Sequence, residues 1–168
     1  MTRQYLTFTL DNTIYAAEIS LVQEVLDYKK PQSLPCPDPV IAGIIQSRGK
    51  SISVVNLRRK FGLVDTEPTK ETRIIVFELP GTGLQESGYI GTIADSVLEV
   101  LEIKETCCEP PPQTGNSIAA RFINGICRKD EKFIIMLDIS KIFSSRELTT
   151  IIHTADTSAD TLADKQES

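Results

Sequence analysis

The 168-residue sequence has a single histidine, no tryptophan and no Cys-x-x-Cys pair. Because His153 lies beside the polar C-terminal end, it is badly placed to activate a serine or cysteine nucleophile, and a Cys/His metal site lacks ligands. Gly81-Thr82-Gly83 lacks the rest of either glycine-rich phosphate-loop pattern. We therefore expect no catalytic residues, no metal and no cofactor, and we predict that the protein is not an enzyme.

Long apolar segments are also missing. The longest run is Phe133–Leu137, far below the roughly 20 residues that a membrane helix needs. The N-terminal residues alternate between polar and apolar, unlike an export signal. We expect a soluble cytoplasmic protein without direct membrane insertion, whose four cysteines (Cys36, Cys107, Cys108 and Cys127) are reduced and act as small hydrophobic residues.

Charge is unevenly distributed along the chain. The totals of 18 basic and 23 acidic residues give a net charge of −5, which argues against a uniformly basic nucleic-acid binder. Residues 39–64, however, contain no acid and five bases. An alternative function is therefore a small nucleic-acid-binding barrel, although the interleaved aromatic residues that would stack on bases are absent, so we favour a protein partner and no nucleic acid. The five bases are Arg48, Lys50, Arg58, Arg59 and Lys60.

Apolar residues recur with a period of two along most of the chain, which predicts a mostly β protein. Residues 11–12, 49–50 and 130–131 fit tight turns between strands. Residues 19–26 fit a helical turn that passes into a strand. Four prolines between residues 31 and 39 predict an extended connection. Asn56 and Asp138 are each placed to cap a helix, the second running from about residue 139 to 152.

An internal repeat relates the two halves of the sequence. Residues 43–61 match residues 125–143 at a constant offset of 82, and residues 22–26 echo residues 97–101. The repeat predicts two packed five-stranded antiparallel small barrels with short helices and a C-terminal helix. We expect one domain over residues 1–153, with barrel 1 at about 12–66, barrel 2 at about 70–146 and the strand at 4–10 shared at the seam. Residues 154–168 fit a disordered acidic tail.

A series of segments carries a further pattern: residues 5–8, 15–16, 22–26, 43–45, 48–49, 54–63, 72–76, 97–101, 109–112 and 122–126. In this order and spacing, these segments resemble the CheW family of coupling proteins in bacterial chemotaxis. The resemblance extends over about residues 4–147, so that the predicted domain is CheW-like. The sequence departs from the family's common pattern at Gln46-Ser47, where Asn-Leu is frequent, and at Asn56, where Asp is frequent.

The resemblance implies two five-stranded barrels around a shared apolar seam and a non-catalytic adaptor. Such an adaptor couples the cytoplasmic tip of methyl-accepting chemoreceptors to the histidine kinase CheA. It is a scaffold of the chemoreceptor array, at the inner membrane. The regulatory domain of CheA has the same fold, so the resemblance also implies pairing with that domain and with other CheW-like domains in rings.

The resemblance further implies two sets of site residues. A receptor tip is a helical hairpin, and its groove would need apolar contact, close backbone approach and a polar rim. The implied receptor-binding residues are Val22, Glu24, Gly43, Arg48 and Gly49. The implied kinase-binding surface is apolar and lies on the first barrel, and its residues are Ala17, Ile19, Val40 and Ile41.

Overall fold

The computed structural model of the protein describes residues 2–33, 35, 39–79, 88–110 and 122–142. These residues form eleven strands and two short helices, which confirms the prediction of a mostly β fold. The strands are β1 (Thr2–Leu10), β2 (Thr13–Glu18), β3 (Val22–Asp27), β4 (Ile41–Ser47), β5 (Lys50–Asn56), β6 (Arg73–Leu79), β7 (Gly88–Ala94), β8 (Ser96–Lys104), β9 (Cys108–Glu109), β10 (Ile123–Lys129) and β11 (Lys132–Leu137). The helices are α1 (Leu57–Lys60) and α2 (Ile139–Ile142), and 3-10 turns occupy Ile19–Leu21 and Glu105–Cys107.

The strands form two sheets. Sheet A has six strands in the order β8-β1-β2-β11-β10-β9, and sheet B has five in the order β3-β6-β7-β5-β4. Most neighbours are antiparallel, but β5 pairs with β7 and β11 pairs with β2 in parallel. These two parallel pairs depart from the predicted antiparallel barrels in detail, because a period-two pattern identifies strands without identifying their neighbours.

The two halves of the chain exchange hairpins. The β1-β2 hairpin lies in sheet A between strands of the second half, and the β6-β7 hairpin lies in sheet B between strands of the first half. The sheets therefore do not follow the predicted division into residues 12–66 and 70–146. The strand predicted at 4–10 lies within β1, which is not an edge strand of sheet A, because it pairs with both β2 and β8.

Each sheet is curved, so that the chain that leaves one of its edge strands reaches the opposite edge of the same sheet. After β3, Gln32 forms a two-hydrogen-bond bridge with Ile44 on β4, with N–O distances of 2.8 and 2.9 Å. After β8, the short strand β9 pairs with β10. In the part of the chain that the structure describes, each sheet thus approaches a barrel that is closed by only one or two residue pairs.

The structure confirms the sequence repeat. Strands β4 and β5 with α1 correspond to β10 and β11 with α2 at the offset of 82, and both hairpins carry a register shift at the same place, before Gly43 and before Gly125. The predicted caps are also present. Asn56 accepts a hydrogen bond from the amide of Arg59 at 3.2 Å, and Asp138 accepts one from the amide of Ser140 at 3.1 Å.

Strands near the middle of the molecule are buried on both faces. On β6, Ile75 and Phe77 point into the seam between the sheets, whereas Ile74 and Val76 point into the concave side of sheet B. Sheet A has a smaller interior of its own, which includes Cys127 and Met136. This arrangement confirms the predicted shared apolar seam and explains why the central strands read as nearly continuous hydrophobic runs.

The prediction that all the cysteines are reduced is wrong for two of them. Cys108 on β9 and Cys127 on β10 are directly opposed, with Cα atoms 4.0 Å apart, and form a disulfide. No local pattern links Cys108 to Cys127, which stand 19 residues apart, because only the pairing of β9 with β10 brings them together. Cys107 is exposed and unbridged.

Several predictions lie outside the described residues. They are the helix beyond residue 142, the tail at 154–168 and the state of Cys36. In the described ranges, the structure contains no helix of the length and hydrophobicity required to cross a membrane.

Candidate functional site

Glu24 and Arg48 meet where the two edges of sheet B approach each other. Glu24 lies on the edge strand β3, and Arg48 lies in the two-residue turn between β4 and β5. Arg48 Nε is 3.3 Å from one carboxylate oxygen of Glu24, and Ser47 Oγ donates to the other at 3.0 Å. The Glu24 side chain is only 14% exposed, whereas that of Arg48 is 76% exposed. Glu24 therefore contacts Arg48 at Nε, while most of the Arg48 side chain remains exposed and available to a partner.

Arg48 occupies a backbone conformation that its side chain does not favour. Its φ is +53°, in the left-handed region, and Gly49 follows with φ +76°. Two further two-residue turns, at 11–12 and 130–131, begin with aspartate at the same conformation. Since such turns favour Asn, Asp and Gly, turn chemistry alone would not select arginine here.

Gly43 serves the fold directly. Its φ is +149°, and a Cβ at this position would overlap the carbonyl oxygen of Gln32. The resemblance implied that another backbone approaches this glycine, and the structure shows that the approaching backbone is the chain's own. Gly43 therefore allows the segment after β3 to dock on β4.

The remaining implied receptor residue, Val22, is half-buried and packs against the seam. Val25, on the same strand, is 40% exposed. It supplies exposed apolar surface on β3 that the resemblance did not assign, on the face opposite to Glu24, because successive strand residues alternate between faces. An exposed valine in a period-two strand gives no sequence signal, because the pattern does not say which face is covered.

Two of the four implied kinase-binding residues cannot form a surface. Ala17 is fully buried and Ile41 is 8% exposed, and both belong to the seam. Ile19 and Val40 are half-buried against the same seam. The prediction that Ala17 and Ile41 contact the kinase directly is therefore wrong. The physical reason is that both faces of these strands are covered, so an apolar residue does not identify an exposed face.

The basic segment does not form a free cationic face. Each of its five bases contacts a neighbour within the molecule, and three of these contacts are ion pairs. Three of the five charges are thus balanced by a carboxylate, which leaves fewer uncompensated cations than a strip that binds a phosphate backbone would present. The contacts are Arg48 with Glu24, Lys50 over the ring of Tyr89, Arg58 with Asp95, Arg59 with Asp65 and Lys60 over the ring of Phe122.

Arg58 is the most deeply engaged of these bases, with a side chain only 11% exposed. It donates to both carboxylate oxygens of Asp95, at 3.0 and 2.5 Å, and to the carbonyl oxygen of Val64 at 2.8 Å. Asp95 also accepts from the amide of Asp11 at 2.8 Å. Burial raises the pKa of Asp95, hydrogen bonds from Arg58 and Asp11 lower it, and the balance lies below its ordinary value.

This cluster joins α1 to the β1-β2 and β7-β8 turns. Sequence reasoning did not find Asp95, because it stands 37 residues from Arg58 and no local motif links the two. The cluster is structural, and it fixes the orientation of the helix that follows the β4-β5 hairpin.

Comparison with known proteins assigns the family. A family model described as CheW-like domain matches residues 4–147. The chain is 30% identical over 146 residues to the chemotaxis protein CheW of Treponema pallidum, covering 86% of this chain and 84% of that protein. It is 26% identical over 153 residues to the chemotaxis protein CheW of Klebsiella aerogenes, covering 91% and 89% of the two chains.

A solved structure supports the same assignment. The crystal structure of the scaffolding protein TtCheW from Thermoanaerobacter tengcongensis superposes with a TM-score of 0.75 at 32% identity, covering 88% of this chain and 96% of that one. This chain and that structure therefore share a fold over most of their lengths. The chain belongs to the CheW family.

Proposed function

We propose that this protein is a non-catalytic scaffold of chemotaxis that couples the cytoplasmic tip of chemoreceptors to the histidine kinase CheA. The relatives are named as chemotaxis proteins, and the structural neighbour is named as a scaffolding protein. The proposal places the protein in the cytoplasm, associated with receptor arrays. Its partners are then the receptor tip, the regulatory domain of the kinase and other CheW-like domains.

The observation that carries the proposal is the exposed arginine held by Glu24 at a left-handed turn. A receptor tip is helical, and a helix bound in a groove needs apolar anchors and a polar rim. Val25, with half-buried Val22 beside it, supplies apolar surface, and Arg48 supplies a charge-assisted donor for a carboxylate or a helix carbonyl. Gly43 and Gly49 contribute backbone geometry, because they shape the hairpin that carries Arg48.

For the kinase we propose a surface around Ile19 and Val40. Both side chains are half-buried and lie at the outer margin of the seam. A partner domain that covered them would extend an apolar core that already exists, as the centres of stable interfaces do. Ala17 and Ile41 would support this surface from beneath.

The test is co-sedimentation with receptor-containing membranes, with and without CheA. We expect the wild-type protein to pellet with receptors and to recruit the kinase. Arg48→Glu should weaken receptor binding at least tenfold, because it reverses the exposed charge and places it beside Glu24. Lys129→Glu is the matched control, because Lys129 is an exposed base beside the corresponding turn of the second half.

Equal loss of binding in both variants would contradict the site and would indicate a general charge effect. Failure of the wild-type protein to bind either receptors or kinase would contradict the proposed function itself. Circular dichroism of each variant establishes that the fold is retained.

A further inference from the structure

The disulfide between Cys108 and Cys127 joins the two ends of sheet A. The chain leaves the edge strand β8, passes through a 3-10 turn and reaches the opposite edge as β9. Strand β9 has two residues, and its pairing with β10 consists of Glu109 opposite Ile126 and Cys108 opposite Cys127. One of the two residue pairs that close sheet A is therefore covalent.

Sheet B closes at the corresponding place without a covalent bond. By the repeat, Ile44 and Ile45 correspond to Ile126 and Cys127, and the Gln32 bridge to Ile44 corresponds to the pairing of Glu109 with Ile126. The residue before Gln32 is Pro31, which is buried, as is Ile45. Apolar side chains thus suffice at this closure, so packing alone does not require two cysteines in sheet A.

The two sulfur atoms differ in accessibility. Cys127 is 1% exposed and belongs to the interior of sheet A, together with Ile134 and Met136. Cys108 is half-buried and lines a cavity of about 430 Å³ that also touches Glu109 and Gly125. A reagent in this cavity reaches Cys108 first, whereas Cys127 lies behind it.

We propose that Cys108 is a thiol–disulfide exchange site at which a thiol of the reduced cytoplasm opens the closure of sheet A. Disulfides in reducing compartments are mostly transient and redox-active, and exchange depends on which sulfur can be attacked. An incoming thiolate attacks Cys108 Sγ and forms a mixed disulfide with it. The Cys108–Cys127 bond breaks, and Cys127 leaves with the electron pair and then takes a proton from solvent.

A monothiol and a dithiol give different end states at this site. With a monothiol the first product is the mixed disulfide on Cys108, and its release requires attack by a second monothiol molecule, which leaves as part of a new disulfide. With a dithiol the second thiol attacks the mixed bond, Cys108 leaves as a thiol, and the dithiol carries away the new disulfide. Two electrons then pass to the protein, which is left with two thiols and a closure that depends on backbone hydrogen bonds alone.

The experiment uses the full chain with Cys36→Ser, so that three cysteines remain. The native oxidised protein is treated with glutathione or dithiothreitol at neutral pH and quenched with N-ethylmaleimide, and the modified peptides are identified by mass spectrometry. We expect glutathione on Cys108 with maleimide on Cys127, and maleimide on both after dithiothreitol. A Cys107→Ser version is the control, because Cys107 is exposed and unbridged.

Opening of the closure is measured by amide hydrogen exchange. Reduction should accelerate exchange at least tenfold in residues 108–109 and 126–127, with no change at Gln32 and Ile44 in sheet B. Glutathione on Cys127, reaction only after denaturation, absence of the disulfide peptide in oxidised protein, or unchanged exchange after reduction would each overturn the proposal. None of these outcomes depends on binding to receptors or kinase, so the proposed function is tested separately.

Discussion

Arg58 and Asp95, 37 residues apart in the chain, form a two-pronged ion pair that joins the helix after β5 to the turn after β7. Because the guanidinium is largely buried, its loss of hydration is compensated only while the carboxylate stays charged and hydrogen-bonded.

We expect Asp95→Asn to lower the free energy of unfolding by about 1.5–3 kcal/mol, because it leaves a buried cation with a neutral partner. Asp65→Asn is the matched control, since Asp65 pairs with Arg59 at the surface, where such a pair contributes about 1 kcal/mol or less. Urea denaturation at neutral pH measures both variants. Equal losses would contradict the distinction between the two pairs.

Acid should weaken the same cluster. The pKa of Asp95 lies below its ordinary value in the folded protein. Its contribution is therefore complete above the unfolded pKa of about 3.9 and disappears as the pH falls through the folded pKa. We expect the stability difference between wild type and Asp95→Asn to be constant from pH 7 to 5 and to shrink below pH 4. A constant difference down to pH 2.5 would contradict this assignment.

Arg48→Asn should separate folding from binding. Asparagine adopts the left-handed conformation more readily than arginine, so we expect unchanged stability or a gain of up to about 1 kcal/mol. Receptor binding should fall at least tenfold, because the exposed guanidinium is lost. Thermal unfolding and co-sedimentation of the same preparation measure the two effects. A variant that is stabilised and still binds would remove Arg48 from the site.

Gly43→Ala should damage the fold rather than a partner contact. The added methyl group would meet the carbonyl oxygen of Gln32, and the backbone conformation disfavours alanine. We expect a loss of at least about 2 kcal/mol of unfolding free energy. Gly62→Ala is the control, because Gly62 also has a positive φ but has open space around it, so its cost should stay near 1 kcal/mol. Similar values would contradict a steric role for Gln32.

The strands, turns and caps were predictable from sequence because they depend on neighbouring residues. The alternation around Phe8, the turns at 11–12 and 130–131 and the caps Asn56 and Asp138 each carry a local signal, and the repeat at offset 82 adds the relation between the halves. The structure confirms all of these features.

Features that depend on distant residues were not predictable. The hairpin exchange, the Arg58–Asp95 pair and the Cys108–Cys127 bond each join segments whose spacing carries no pattern. The burial of Ala17 and Ile41 was not predictable for a related reason. An apolar residue in a strand gives the same sequence pattern whether it faces solvent, a partner or the other sheet.

The exchange of hairpins has a consequence for how the chain can be divided. Sheet A contains the β1-β2 hairpin of the first half, and sheet B contains the β6-β7 hairpin of the second half. A fragment ending near residue 70 would therefore contain strands of both sheets and complete neither. The arrangement resembles that of a domain-swapped dimer whose two subunits are joined in one polypeptide. Because these strand pairings join distant parts of the chain, we expect the two halves to fold together and neither half to fold alone.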